Sequence, residues 1–138
     1  MVTLIGMGSG SWEALSVQAQ DAVRRAGLVF GAKRLLAGLP PECTARQFAL
    51  YQPAEILETL AQAPGQDAAV LYSGDTGFYS GASGLLTPLR ALGIPARVYP
   101  GVSSIQLLAA ALGRPWQDWK LVSAHGCACD PVAQCMTE

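Results

Sequence analysis

Short apolar runs alternate with longer amphipathic segments along most of the chain, and this alternation limits the possible folds more than any other feature. The runs predict β-strands at residues 2–5, 28–30, 46–50, 68–72 and 96–99. The segments between and after them predict helices at residues 16–26, 32–39, 53–63, 81–92 and 103–112. This order predicts an α/β fold with a mainly parallel five-stranded sheet and flanking helices. A further strand at residues 120–123 is predicted to open a second α/β domain, which gives domains at residues 1–115 and 116–138.

The composition excludes several classes of protein. Hydrophobic residues make up 51% of the 138 residues and charged residues 14%, which suits a packed core and not a disordered tail. The net charge is −1 and no basic run is present, so we expect no nucleic-acid partner. No apolar stretch approaches the ~20 residues of a membrane-spanning helix, and no signal peptide is evident. We therefore expect a cytoplasmic protein without a membrane partner.

The loop after the first strand is rich in glycine, with the sequence Gly6-Met7-Gly8-Ser9-Gly10. Ligands of parallel sheets bind beyond the carboxyl ends of the strands, and glycines let a ligand approach the backbone closely. The spacing differs from the G-x-G-x-x-G of dinucleotide-binding loops, and no acidic residue ends the second strand. A nucleotide-binding domain is therefore disfavoured. A flexible turn without a ligand is the alternative.

Two later loops carry polar side chains. In Ser73-Gly74-Asp75-Thr76-Gly77, the Asp75 carboxylate could accept hydrogen bonds from a ligand, and Phe78 or Tyr79 could pack against a flat ring. The alternative is a turn in which Asp75 caps the backbone and Phe78 fills the core. After the fifth strand, the pair Ser103-Ser104 could meet a ligand or cap the helix that follows.

Three more residues are candidates for a polar site. Lys33 and Arg34 form a basic pair, which is either solvated surface or a contact for the carboxylates of a substrate. His125 is the only histidine, and a lone histidine suggests acid–base chemistry, although no nucleophile pairs with it in the sequence.

The cysteines are Cys43, Cys127, Cys129 and Cys135. The last three lie close to His125, which raises the alternative of a metal site. Their spacing lacks the C-x2-C pairs of common zinc sites, and no secretion signal favours disulfides. We therefore expect no metal and free thiols.

Together, the three loops resemble the tetrapyrrole methylase family. The resemblance rests on LIGMGSG at residues 4–10, SGDTGFY at 73–79 and PGVSS at 100–104, in that order. The segments VFGAKRLL at 29–36, PWQD at 115–118 and SAHG at 123–126 resemble one branch of the family. Members of that branch methylate C5 of precorrin-6Y or cobalt-precorrin-7 in cobalamin biosynthesis.

The resemblance implies a methyltransferase that uses S-adenosylmethionine. It implies two α/β domains, with the cofactor at their seam and the macrocycle in the trough between them, and the chain is expected to hold only the beginning of the second. Cofactor contacts are implied for Gly74, Asp75, Phe78, Ser103 and Ser104. Substrate contacts are expected from Gly8, Ser9, Lys33, Arg34 and His125. No catalytic residue is assigned, because an electron-rich carbon of the macrocycle can itself be the nucleophile.

The sequence also departs from the family pattern. Ser9 and Thr76 stand where many relatives have proline, and Gly31 stands where relatives acting on uroporphyrinogen have an acidic residue, which argues against a general base there. The resemblance further implies a homodimer and a C15-methylating, decarboxylating partner domain or subunit. The alternatives are a methylase acting at another macrocycle position and a cofactor-binding module without turnover.

Overall fold

The computed structural model describes residues 1–78 and 80–123. The strands are β1 (Val2–Gly6), β2 (Leu28–Phe30), β3 (Arg46–Phe48), β4 (Ala68–Tyr72) and β5 (Ala96–Tyr99). The helices are α1 (Val17–Arg25), α2 (Lys33–Leu36), α3 (Pro53–Ala61), α4 (Ala82–Ala91) and α5 (Ser104–Leu112). These strands and helices confirm the predictions up to residue 112, with ends that shift by a few residues. A short 3-10 helix at Trp12–Ala14 was not predicted.

The chain divides into two compact units between Ser104 and Ile105. The first unit, Met1–Ser104, contains the whole sheet and helices α1 to α4. The second unit begins inside α5. The domain boundary between residues 115 and 116 stays a prediction.

All five strands run parallel, in the order β3-β2-β4-β1-β5. In the register of β1, Val2 pairs with Ala68 of β4 on one side and with Ala96 of β5 on the other. Every residue of β1 and β2 is buried. Strands buried on both faces are mostly apolar, which is why these segments, apart from Thr3, appear in the sequence as apolar runs. The predicted parallel sheet is confirmed.

Alternate residues of the strands point to opposite faces of the sheet and form two cores. On one face, Ile5 and Leu71 belong to the same core as Val23 of α1, with α2 beside them. On the other face, Leu4 belongs to the same core as Leu85 of α4, with α3 beside them. The connection that leaves β4 therefore lies on the opposite face from those that leave its neighbours β1 and β2. Such a change of side opens a crevice at the carboxyl ends of the strands, where ligands of α/β proteins bind.

Local sequence signals account for the helix ends. The Ser16 side chain accepts the backbone N–H of Ala19 at 3.2 Å and so caps α1 as predicted. Pro53 is the first residue of α3, where its missing N–H has no partner to lose. Pro88 lies inside α4, and the helix continues beyond it to Ala91.

The predicted strand at residues 120–123 is wrong, because these residues are neither helix nor strand. They take part in none of the ladders that the described residues form. A strand needs a neighbour for its backbone hydrogen bonds, and a short apolar run does not provide one. No helix in the described part of the chain is long and apolar enough to cross a membrane.

Candidate functional site

Three glycines bring the carboxyl ends of the neighbouring strands β4, β1 and β5 into direct backbone contact. Gly6 ends β1, Gly74 lies two residues after β4, and Gly101 lies two residues after β5. A Cβ atom on Gly6 would lie 2.7 Å from both the Gly101 nitrogen and the Gly74 carbonyl oxygen. A Cβ atom on Gly101 would overlap the same Gly74 oxygen and lie 2.5 Å from that of Gly6. Because backbone atoms cannot move aside as side chains do, these contacts require glycine at Gly6 and Gly101.

The glycine-rich loop after β1 is bonded to the loop after β4. Gly8 donates its N–H to the Gly74 carbonyl at 3.1 Å and accepts the Gly74 N–H at 2.8 Å. Gly8 has a φ of +61° and Gly74 a φ of +66°, a conformation that residues with a side chain rarely adopt. The backbone polar groups of Gly8 are thus engaged within the protein, and a Cβ atom on Gly8 would meet the Val102 carbonyl oxygen at 3.4 Å. Ser9, the next residue, is exposed.

Asp75 ties its own turn to the loop after β5. One carboxylate oxygen accepts the N–H of Gly77 at 3.1 Å, and the other accepts the N–H of Gly101 at 3.0 Å. The turn-capping alternative from the sequence is therefore present, and each oxygen keeps a further lone pair for a ligand. Asp75 is half-buried and forms no ion pair with the residues that the structure describes.

Thr76, which the sequence analysis did not select, makes a second tie between the same loops. Its hydroxyl donates to the carbonyl oxygen of Tyr99, the last residue of β5, at 3.2 Å. Thr76 is buried, with 9% of its surface exposed. Its bond joins residues 23 positions apart, so no local sequence signal could have revealed it.

The remaining residues predicted to meet the cofactor lie in the same loops. Ser103 is buried, and its Cα would lie 3.8 Å from a Cβ atom on Gly74. Ser104 begins α5 and is exposed. Phe78 is half-buried. The structure thus brings the loops of all five predicted cofactor residues to one edge of the sheet.

The two members of the basic pair differ in their surroundings. The Arg34 guanidinium approaches the glycine-rich loop, with Nη1 3.4 Å from the position that a Cβ atom on Gly10 would take. Arg34 makes no ion pair within the described residues, and neither does Lys33. Both side chains are exposed at the start of α2. Of the two, Arg34 lies beside the glycine-rich loop, which contains the predicted substrate residues Gly8 and Ser9.

Tyr72, the last residue of β4, was also missed by the sequence analysis. Its hydroxyl oxygen is buried and has no hydrogen-bond partner among the described residues. Burial away from water raises the pKa of Tyr72 from 10.0 to about 12. The ring lies on the α4 side of the sheet, where its Cε1 would be 3.6 Å from a Cβ atom on Gly81.

The predictions about His125 and three of the cysteines lie outside the described residues. Cys43 is buried and free, and burial raises the pKa of its thiol. Within residues 1–78 and 80–123, no three His, Cys, Asp or Glu side chains come together as a metal site would require.

A profile of the family Tetrapyrrole (Corrin/Porphyrin) Methylases matches residues 1–134. The chain belongs to the tetrapyrrole methylase family. The match covers all three loops described above, and it confirms the resemblance seen in the sequence.

Individual tetrapyrrole methylases are similar over most of the chain. It is 34% identical over 128 residues to the cobalt-precorrin-7 C(5)-methyltransferase of Salmonella typhimurium, covering 91% of the chain and 62% of that relative. It is 32% identical over 120 residues to the precorrin-4 C(11)-methyltransferase of Rhodococcus erythropolis, covering 82% of the chain and 48% of that relative. The crystal structure of the methyltransferase CobJ matches with a TM-score of 0.70 at 27% identity, and the match covers 83% of the chain and 51% of CobJ. The chain thus spans less than two thirds of the length of each of these proteins.

Proposed function

We propose that the chain is the N-terminal, cofactor-binding part of a methyltransferase that uses S-adenosylmethionine to methylate a precorrin in cobalamin biosynthesis. The observation that carries the proposal is the joining of three loops at one edge of the sheet. The paired backbone bonds of Gly8 and Gly74 and the bond between Asp75 and Gly101 fix the loops after β1, β4 and β5 to one another, together with the glycine contacts. Rigidly held loops beyond parallel strands are where α/β proteins place their ligands.

The chemistry of these loops fits the proposed cofactor. S-adenosylmethionine carries a positive sulfonium and a positive ammonium group, ribose hydroxyls and a flat adenine ring. The Asp75 carboxylate has no cationic partner among the described residues and suits a positive group or hydroxyls. The hydroxyls of Ser103 and Ser104 can hydrogen-bond to polar groups, and Phe78 can pack against the adenine. Gly74 keeps the backbone open to close approach.

The chain's own residues are proposed to bind and orient the reactants. When bound, S-adenosylmethionine supplies a methyl group on its sulfonium sulfur. The fixed loops hold their polar groups in place before a ligand arrives, which lowers the cost of ordering the site. No side chain is assigned as a nucleophile, because the carbon to be methylated can fill that role.

The proposed substrate is precorrin-6Y or cobalt-precorrin-7, and the methyl group is proposed to be transferred to its C5. Relatives named for C5 and for C11 methylation both match the chain, so the position rests on the branch-specific segments at residues 29–36, 115–118 and 123–126. Arg34 beside the glycine-rich loop suits a substrate carboxylate. Gly8, Ser9, Lys33 and His125 are proposed as further substrate contacts. A cytoplasmic location, a homodimer and a C15-methylating, decarboxylating partner stay predictions.

The proposal is tested by titrating the chain with S-adenosylhomocysteine in a calorimeter, with Asp75→Asn as the variant. Asparagine keeps the size of the side chain but loses its charge, and its amide nitrogen cannot accept a backbone N–H. We expect binding that weakens about tenfold or more in the variant, the size expected for charge-assisted hydrogen bonds.

Asp67→Asn is the matched control, because Asp67 is exposed beside the start of β4, at the opposite edge of the sheet. Its affinity should equal that of the unsubstituted chain. Equal affinity in Asp75→Asn would contradict the assignment of Asp75 to the cofactor. No binding by the unsubstituted chain would contradict the proposal that it carries a cofactor site.

A cofactor-binding module without turnover is the second candidate. The described residues fit this candidate as well, because all of their proposed roles are to bind and orient ligands and none is assigned a chemical step. Transfer of a labelled methyl group from S-adenosylmethionine to a purified precorrin distinguishes the two candidates. Transfer supports the enzyme, whereas cofactor binding without transfer supports the module.

A further inference from the structure

The loops after β4 and β5 are joined by two side-chain hydrogen bonds that come from adjacent residues. Asp75 accepts the Gly101 N–H at 3.0 Å, and the Thr76 hydroxyl donates to the Tyr99 carbonyl at 3.2 Å. The first bond uses a backbone donor just after Pro100, and the second uses a backbone acceptor just before it. Together they fix this segment both in distance and in orientation.

We propose that Thr76 is a positioning residue, which holds the segment after β5 in register with the segment after β4. The inference rests on the proposed function, in which Gly74 and Asp75 on one segment and Ser103 on the other bind the same cofactor. Thr76 itself needs no contact with a ligand.

The burial of Thr76 supports this role. The residue is 9% exposed, so water competes poorly for its hydroxyl and for the carbonyl that it binds. Gly101 has no side chain with which to anchor the segment, and a Cβ atom there would overlap the Gly74 oxygen. The segment thus depends on hydrogen bonds made by the β4 loop. The Thr76 bond thus gives the two segments a second point of attachment beside that of Asp75.

Thr76→Val tests the inference, because valine has nearly the shape of threonine but no hydroxyl. Thr76→Ser keeps the hydroxyl and serves as the rescue variant. Thr87→Val is the matched control, since Thr87 also donates to a backbone carbonyl, that of Ser83 at 3.2 Å, but within α4. Two quantities are measured for each variant: the affinity for S-adenosylhomocysteine by calorimetry, and the hydrogen exchange of the Gly101 amide by NMR without ligand. Urea unfolding confirms that each variant folds.

We expect Thr76→Val to bind S-adenosylhomocysteine about fivefold more weakly and to exchange the Gly101 amide about fivefold faster, as for the loss of one net hydrogen bond. Thr76→Ser and Thr87→Val should stay within about twofold of the unsubstituted chain. Unchanged exchange and unchanged affinity in Thr76→Val would overturn the inference, and so would faster exchange with unchanged affinity. If the unsubstituted chain does not bind, the proposed function fails instead, and the exchange of Gly101 still decides whether Thr76 holds the segments together.

Discussion

The buried hydroxyl of Tyr72 predicts that Tyr72→Phe stabilises the protein. This oxygen has no partner among the described residues, so folding removes it from water without a compensating bond. An unsatisfied buried polar group costs about 1–3 kcal/mol. Because Tyr72 is only partly buried as a residue, we expect the lower end of this range, a gain of about 1 kcal/mol in the free energy of unfolding at pH 7.

The gain should grow in alkaline solution. The pKa of Tyr72 is raised from 10.0 to about 12 in the folded protein, so above pH 10 the unfolded chain binds fewer protons than the folded one, and stability falls as pH rises. At pH 11 the full difference corresponds to about 1.4 kcal/mol. Because Tyr72 is partly exposed, we expect a loss of about 0.7 kcal/mol in the free energy of unfolding at pH 11. The Tyr72→Phe variant has no hydroxyl to ionise and does not undergo this loss. The advantage of the variant should therefore reach about 1.7 kcal/mol at pH 11.

Urea unfolding at pH 7 and pH 11 measures both quantities. Tyr51→Phe is the control, because Tyr51 is 63% exposed, and it should change stability by less than about 0.5 kcal/mol at both pH values. Other groups titrate equally in every variant, so their effect on the free energy of unfolding cancels when each variant is compared with the unsubstituted chain at the same pH. A destabilised Tyr72→Phe at pH 7 would refute the reasoning, because it would mean that the hydroxyl has a partner. An advantage that does not grow with pH would refute the assigned pKa shift.

Two further predictions concern the glycines and the basic pair. Gly101→Ala should lower the free energy of unfolding by about 2–3 kcal/mol or more, because the new Cβ atom would overlap backbone atoms. Gly84→Ala, whose Cβ atom would meet only the Pro53 ring at 3.8 Å, should instead stabilise α4 by about 0.5–1 kcal/mol, and urea unfolding of both variants checks the contrast. Arg34→Ala should weaken precorrin binding about tenfold in an absorption titration and leave S-adenosylhomocysteine binding unchanged, with Arg90→Ala on α4 as the control. Equal precorrin affinity in the two arginine variants would remove Arg34 from the substrate site.

The local elements could be predicted because their signals are local. The apolar runs at residues 68–72 and 96–99 match β4 and β5 residue for residue. The strand order could not be predicted, since the pairing of β1 with both β4 and β5 depends on the packing of helices on two faces. The wrong strand at residues 120–123 has the same cause, because apolar sequence specifies a strand only where a neighbour is available.

The site was predictable in outline and not in its bonding. The rule that ligands bind beyond the ends of parallel strands identified the three loops. The glycines in these loops indicated where a ligand could approach the backbone. The sequence left open whether Asp75 caps its turn, and the structure shows that it does. The Thr76 bond joins residues 23 positions apart, and the burial of the Tyr72 hydroxyl without a partner among the described residues depends on tertiary packing, so neither has a sequence signature.

The position of β1 has a consequence for synthesis on the ribosome. Val2 of β1 pairs with Ala68 and Ala96, residues that are made 66 and 94 positions later in the chain. At translation rates of about 5–20 residues per second, this apolar strand waits roughly 3–13 s for the first partner and 5–19 s for the second. During that interval the backbone groups of β1 lack the two strands that flank it in the folded protein. The nascent chain therefore exposes an apolar strand without its partners, a segment that chaperones can cover until the later strands emerge.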